Sequence, residues 1–275
     1  MQKIYFLLLS LIFLLSANLF ADYSRIVSLA PSVTENLYEL GMEKELIANT
    51  IYCRDIDEKN KKEKIGTVTE PNIEKIISLK PDLIISTKEG NNKIFIEKLI
   101  RLKLPVYVME TVENFDDICN NFLKLAEYLN KKEIGEKIIN DIKNEADKIS
   151  KNKKKNYDIK VFWEVGANPV FTVGKKSYVN DFNKFAGGKN IFADTNNRYP
   201  NVNIESVIEK NPDIIILVDM GDVGKEEIKK WKKYKNLSAV KNNKIFMLDA
   251  KEIFTPSPKT FLNGLKNLQS KFNDN

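Results

Sequence analysis

No histidine occurs among the 275 residues of the chain, and that absence limits the chemistry it can do. A Ser–His–Asp or Cys–His nucleophile is excluded, and so are the zinc motifs built on imidazole. No GxxxxGK[ST] or GxGxxG phosphate loop is present either. Asp219 and Asp222 flank Met220-Gly221 and could bind a metal, but a turn rich in Gly and Asp is the plainer account. No other carboxylates stand at a recognisable acid–base spacing. Cys53 and Cys119 could pair in an oxidising compartment or remain thiols, and sequence leaves both open. The inventory suits binding better than catalysis.

One motif occurs twice. Asn72 to Ile85 reads NIEKIISLKPDLII, and Asn203 to Ile216, 131 positions on (203 − 72), reads NIESVIEKNPDIII. Each is a short amphipathic helix, a Pro-Asp turn and an apolar strand. Asn72 and Asn203 would cap the helices, and Glu74 and Glu205 suit the first-turn dipole.

The elements around these residues alternate. Met1 to about Ala21 has one lysine, an apolar run from Ile4 to Leu15 and a small-residue end, the layout of a cleavable signal peptide. A membrane anchor would need about 20 apolar residues. No cysteine stands near the cut for lipid attachment, so a soluble periplasmic protein is expected. The net charge of +6 comes from a lysine-rich surface with only Arg25, Arg54, Arg101 and Arg198 as arginines. The run Lys151–Lys155 lacks interleaved aromatics, so it reads as a solvated linker and no nucleic-acid partner is expected. Strands at Ile26–Leu29, Leu46 onward, Leu83–Ile85 and Val106–Met109 alternate with helices, the first capped by Ser32 or Thr34 and ended by Gly41. Residues 115–129 and 131–151 then read as helices, the second about 30 Å long. Alternation resumes with KVFWEV. The expected class is α/β, two Rossmann-like lobes bridged by one long α-helix. The divisions are 1–21 signal peptide, 22–129 N-terminal lobe, 130–155 connecting helix and 156–275 C-terminal lobe.

The stretches RIVSLAPSVTENLYELG, NIEKIISLKPDLII, VFWEVGANPVFTVGKKSYVNDFNKFAGGKNIF and YPNVNIESVIEKNPDIIIL, in that order, resemble the substrate-binding proteins of ABC importers for cobalamin, ferric siderophores and haem. The resemblance covers nearly all of the mature chain and is strongest to the cobalamin-binding members. It implies a monomer, not an enzyme, that captures a metal chelate in an interlobe cleft and delivers it to an ABC permease dimer with its ATPase subunits. The chelate is cargo and there is no resident cofactor. A cobalamin-like corrinoid ranks first, a ferric siderophore second and haem third. A two-lobed enzyme such as a glycosyltransferase is the alternative from another class, and a free-metal binder would need an all-carboxylate site.

The resemblance also places residues. Pro31, Ser32, Tyr52, Thr87, Phe171, Tyr199 and Lys251 are expected to hold the ligand. Tyr52, Phe171 and Tyr199 match aromatic positions of the cobalamin-binding members, although Phe171 reads equally as core. Departures accompany these matches: Val68 and Thr87 stand where those members carry tryptophans, and Lys251 and Thr255 where they carry an acid and an arginine. Trp163 is a possible substitute platform, unless strand alternation turns it into the core. Tyr52 or Tyr199 could ligate a haem iron. Arg54 and Arg198 could serve an anionic chelate or be solvated surface charges. Glu74 and Glu205 become permease-docking residues, one per lobe, meeting arginines of the partner.

Overall fold

The computed structural model describes residues 23–56, 58–151, 159–219 and 224–273. The expected signal peptide, most of the Lys151–Lys155 run and Asp222 lie outside them. The elements in order are β1 (Ile26–Ser28), α1 (Pro31–Glu39), β2 (Leu46–Asn49), β3 (Glu63–Lys64), α2 (Ile73–Ser78), β4 (Leu83–Thr87), α3 (Lys93–Arg101), β5 (Val106–Met109), α4 (Phe115–Tyr128) and α5 (Lys132–Lys151). There follow β6 (Ile159–Glu164), β7 (Gly166–Ala167), β8 (Val170–Phe171), α6 (Val179–Ala186), β9 (Gly188–Asn190), α7 (Ile204–Lys210), β10 (Ile214–Asp219), α8 (Gly224–Trp231), α9 (Ser238–Lys241), β11 (Ile245–Asp249), α10 (Ala250–Ile253) and α11 (Pro258–Asn273).

Two all-parallel sheets result, ordered β3-β2-β1-β4-β5 and β11-β10-β6-β9. Their central strands are apolar runs because helices cover both faces. Ile84, Ile85, Ile215 and Ile216 are fully buried. The two-lobed α/β architecture expected from the sequence is present.

The lobes share a core. Helix α5 carries Gly135, Ile139, Ile142, Ala146 and Ile149 on one buried stripe, at alternating four- and three-residue steps. That stripe packs on α4 of the first lobe and on α6 and α11 of the second. A Cβ on Gly135 would come within 2.6 Å of the Ala126 Cβ, so glycine sets how closely α4 and α5 approach. One hydrophobic cluster runs from Ile26 and Leu83 through Phe122 and Ile142 to Trp163 and Leu268. Hydrogen-bonded contacts also cross the seam. The Asp181 carboxylate accepts from the Phe115 N–H at 2.7 Å. Glu39, at the end of α1, accepts from the Ser257 hydroxyl and the Lys259 N–H at the start of α11.

Local chemistry departs from expectation at one helix cap and decides two questions the sequence left open. Neither Ser32 nor Thr34 caps α1. Ala30 is the N-cap and Pro31 opens the helix with its φ pre-set, while the Thr34 hydroxyl donates to Ser28 Oγ at 2.8 Å. The cysteines are not paired: both are buried thiols, Cys119 inside α4 and Cys53 beside the cleft. Trp163 is fully buried, donating its indole N–H to Asn183 Oδ1 at 3.1 Å and stacking near Phe182. It is a core residue and not a cleft platform, since β6 is an inner strand with both faces covered.

Candidate ligand-binding cleft

Parallel strands deliver their following loops to one edge, and ligands in open α/β sheets lie outside those carboxyl ends. Here two such edges face each other. A cleft of about 1290 Å3 opens between them, lined from the first lobe by the loops after β1, β2, β3 and β4. The second lobe contributes the ends of β10 and β11, the α10 region and Tyr178 and Tyr199. The volume exceeds the roughly 300–1,000 Å3 of ordinary small-molecule pockets.

Six residues singled out in the sequence meet here: Pro31, Ser32, Tyr52, Thr87, Tyr199 and Lys251. Val68 lines the same space. Phe171 stands apart from this lining, on the β7–β8 hairpin, 37% exposed and bridged to Asn201. Tyr52 is 59% exposed, so its ring is free to meet a ligand. Tyr199 is more enclosed and meets Phe254 edge to face at 5.8 Å. Burial raises the Tyr199 phenol above its ordinary value, although a hydrogen bond with Ser177 opposes this. Burial likewise raises the Cys53 thiol, which contacts Thr50 Oγ1 at 3.1 Å.

Several cleft residues escaped sequence reasoning. Asn91 is 5% exposed and holds three loops together. Its amide donates to Leu29 O at 3.0 Å and Val68 O at 2.8 Å, and its oxygen accepts from Thr87 N–H at 2.8 Å. Tyr178 is buried and donates its hydroxyl to Ile253 O at 2.7 Å, fixing the α10 wall. Phe254, Met247 and Glu89 complete the lining beside them. Nothing local in the sequence distinguishes Glu89, Asn91 and Phe254 from ordinary loop residues.

Both arginines are held by partners, Arg54 in the cleft lining with its side chain 55% exposed and Arg198 beside the cleft. Arg54 pairs with both oxygens of Glu35, at 2.5 and 2.8 Å, and lies over the Tyr38 ring. Arg198 is bonded to Glu89, to Val112 O at 2.6 Å and to Lys176 O at 2.9 Å. Both cations are therefore engaged by the protein. Lys251 N–H donates to Asp249 Oδ1, which caps α10. Among the described residues no group of three or more His, Cys, Asp or Glu side chains is arranged to hold a metal ion.

A model of the periplasmic binding protein family matches residues 26–252, which takes in both sheets and nearly all of the cleft. The chain belongs to that family. It is 32% identical over 239 residues to the vitamin B12-binding protein of Vibrio parahaemolyticus, covering 86% of this chain and 85% of the relative. The crystal structure of the periplasmic vitamin B12 binding protein BtuF of Vibrio cholerae superposes with a TM-score of 0.77 at 29% identity, over 92% and 97% of the two chains. A possible iron-binding periplasmic solute-binding protein from Staphylococcus epidermidis gives 0.80, also at 29% identity, over 92% and 99%. The single long helix between two α/β lobes is thus a shared framework.

Proposed function

We propose that this periplasmic binding protein captures a metal chelate, a cobalamin-like corrinoid first among them, between its lobes and passes it to an ABC permease dimer driven by ATPase subunits. The observation that carries this reading is the interlobe cleft of about 1290 Å3, walled by Tyr52, Tyr199 and Phe254, in a chain 32% identical to a vitamin B12-binding protein. Flat, rigid aromatic walls give contact area at low entropic cost, which suits a broad macrocycle. Residues 1–21 direct export and are then cleaved, and 22–129, 130–155 and 156–275 act as lobe, connector and lobe.

Pro31, Ser32, Tyr52, Thr87, Tyr199 and Lys251 are the contacts assigned to the ligand, and Phe171 a contact for a ligand that extends to the β7–β8 hairpin. Glu74 and Glu205 are assigned to the permease. The matched relatives are binding proteins, which supports a non-catalytic role. A ferric siderophore is the second reading, favoured by Val68 and Thr87 at positions expected to carry tryptophan and by the likeness to a possible iron-binding protein. Haem is third, through Tyr52 or Tyr199.

The test is titration of the mature chain with cobalamin, haem and ferric siderophores. Both tryptophans are buried, Trp163 and Trp231 being 0% and 1% exposed, so calorimetry and the ligand's visible spectrum are better readouts than fluorescence. Saturable 1:1 binding of one class supports the reading, and failure of all three removes it.

A further inference from the structure

The repeated motif has eight identical positions in its two copies, and the structure gives most of them an internal task. Asn72 Oδ1 accepts from Lys75 N–H and Asn203 Oδ1 from Ser206 N–H, each at 2.8 Å, so both asparagines are helix caps. Ile73 and Ile204 pack into the core of their own lobe. Pro81 and Pro212 make the turn into β4 and β10. Asp82 accepts the Arg25 N–H at 2.9 Å and Asp213 the Lys160 N–H at 2.9 Å, anchoring the neighbouring strand in each sheet. Ile84, Ile85, Ile215 and Ile216 are fully buried strand residues.

Two identities per copy have no such task. Glu74 and Glu205 are exposed, and among the described residues neither takes part in an ion pair. Lysines close to them in the chain are directed elsewhere: Lys75 Nζ pairs with Glu63 at 2.5 Å, and Lys210 Nζ lies over the Phe192 ring. The other identity is an isoleucine. Ile77 is 44% exposed and Ile208 is 37% exposed, each three residues after its glutamate and hence on the same helix face. Scattered exposed isoleucines need no explanation. An exposed isoleucine at the same place in both copies, beside an unpaired glutamate, does.

We propose that Ile77 and Ile208 are the apolar halves of two matched docking handles, each seating with its glutamate on the membrane permease. The inference rests on the docking reading of Glu74 and Glu205 and extends it. The partner surface it requires is a cationic side chain bordered by an apolar shelf, present twice, as a permease dimer presents. The division of labour follows from the physics. The carboxylates steer the encounter and fix register through charge-assisted hydrogen bonds. The isoleucines supply the desolvated contact that slows dissociation.

The test uses full-length chains restored to cells of the source bacterium lacking the native gene, with uptake of radiolabelled cobalamin, ferric hydroxamate and haem as readout. Wild type is compared with I77S/I208S, with E74A/E205A and with I94S/I100S, the last a pair of isoleucines 69% and 53% exposed outside the repeat. The expected result is uptake reduced about tenfold or more in the first two variants and unchanged in the third, with chelate affinity of each purified chain within about twofold of wild type. Uptake lost in E74A/E205A but kept in I77S/I208S overturns the inference and leaves glutamate docking standing. Uptake kept in both, or wild type restoring none of the three chelates, removes the docking reading and the inference together. A concentration-dependent dimer abolished by I77S/I208S would assign these faces to a second copy of this chain and also overturn it.

Discussion

Arg198 of the C-terminal lobe is bonded to Glu89 of the N-terminal lobe beside the cleft, and the same guanidinium donates to the Val112 carbonyl at 2.6 Å. The arginine side chain is only 17% exposed, while Glu89 also lines the cleft. One pair thus ties the lobes and neutralises a half-buried guanidinium beside the cleft. Arg54, similarly engaged by Glu35, adds no free guanidinium. The cleft as folded favours a ligand without strong net negative charge.

Glu89→Gln should therefore change selectivity. With Arg198 released from its carboxylate, affinity for an anionic ferric catecholate should rise about tenfold, whereas an uncharged corrinoid should shift by less than about threefold. Calorimetric titration of both ligands against both chains measures the ratio. An unchanged ratio would show that Arg198 does not govern ligand charge.

Glu39 makes stability depend on pH. Burial pushes its carboxyl up to about 7, even though Ser257 and Lys259 donate to it. An acid whose folded pKa lies above its unfolded value of 4.5 stabilises the fold while protonated. The contribution is full below about 4.5 and lost as pH rises through about 7. Burial pushes Glu164 in the same direction, so its loss runs in parallel. Urea unfolding should show stability falling by a few kcal/mol between about pH 5 and about pH 8. Glu39→Gln should remove part of that fall, and a curve of the same steepness in the variant would contradict the assignment.

Asn91 is expected to matter more than any single cleft aromatic for loop order. Asn91→Ala deletes three bonds among Leu29, Val68 and Thr87 and leaves buried carbonyls unpaired. The cost should be about 2–4 kcal/mol, with chelate affinity falling about tenfold. Denaturant unfolding and titration test the two parts, and amide exchange at Thr87 should quicken.

The shared core argues against a wide hinge. Helix α5 buries one face against both lobes, and α11 returns to the same seam. Crystals of the free and loaded protein should differ by a small interlobe adjustment. A rotation of tens of degrees would mean that the seam opens and the core described here is broken on binding.

Much of this architecture was legible in the sequence because parallel strands are continuous apolar runs and helix α5 carries a regular stripe. Elements too short to show a period were not: β3, β7 and β8 are two residues each. The cleft loops were legible as the segments after the strands, but their inner wiring was not. Asn91 reads as an ordinary turn residue until Leu29, 62 positions away, is brought against it. Glu89 and Arg198 are 109 positions apart, and no local pattern joins them. Trp163 was ambiguous because its strand alternates on paper, and only the sheet order shows that both faces of β6 are covered.

The central claim is that the interlobe cleft is a chelate site, and calorimetric titration of the mature chain with cobalamin, repeated with Tyr52→Ala and Tyr199→Ala, tests it most directly. The account predicts one site per chain, sub-micromolar affinity for wild type, and about tenfold weaker binding in each variant. Absence of binding to cobalamin, ferric siderophore and haem alike, or binding that neither tyrosine affects, would contradict it.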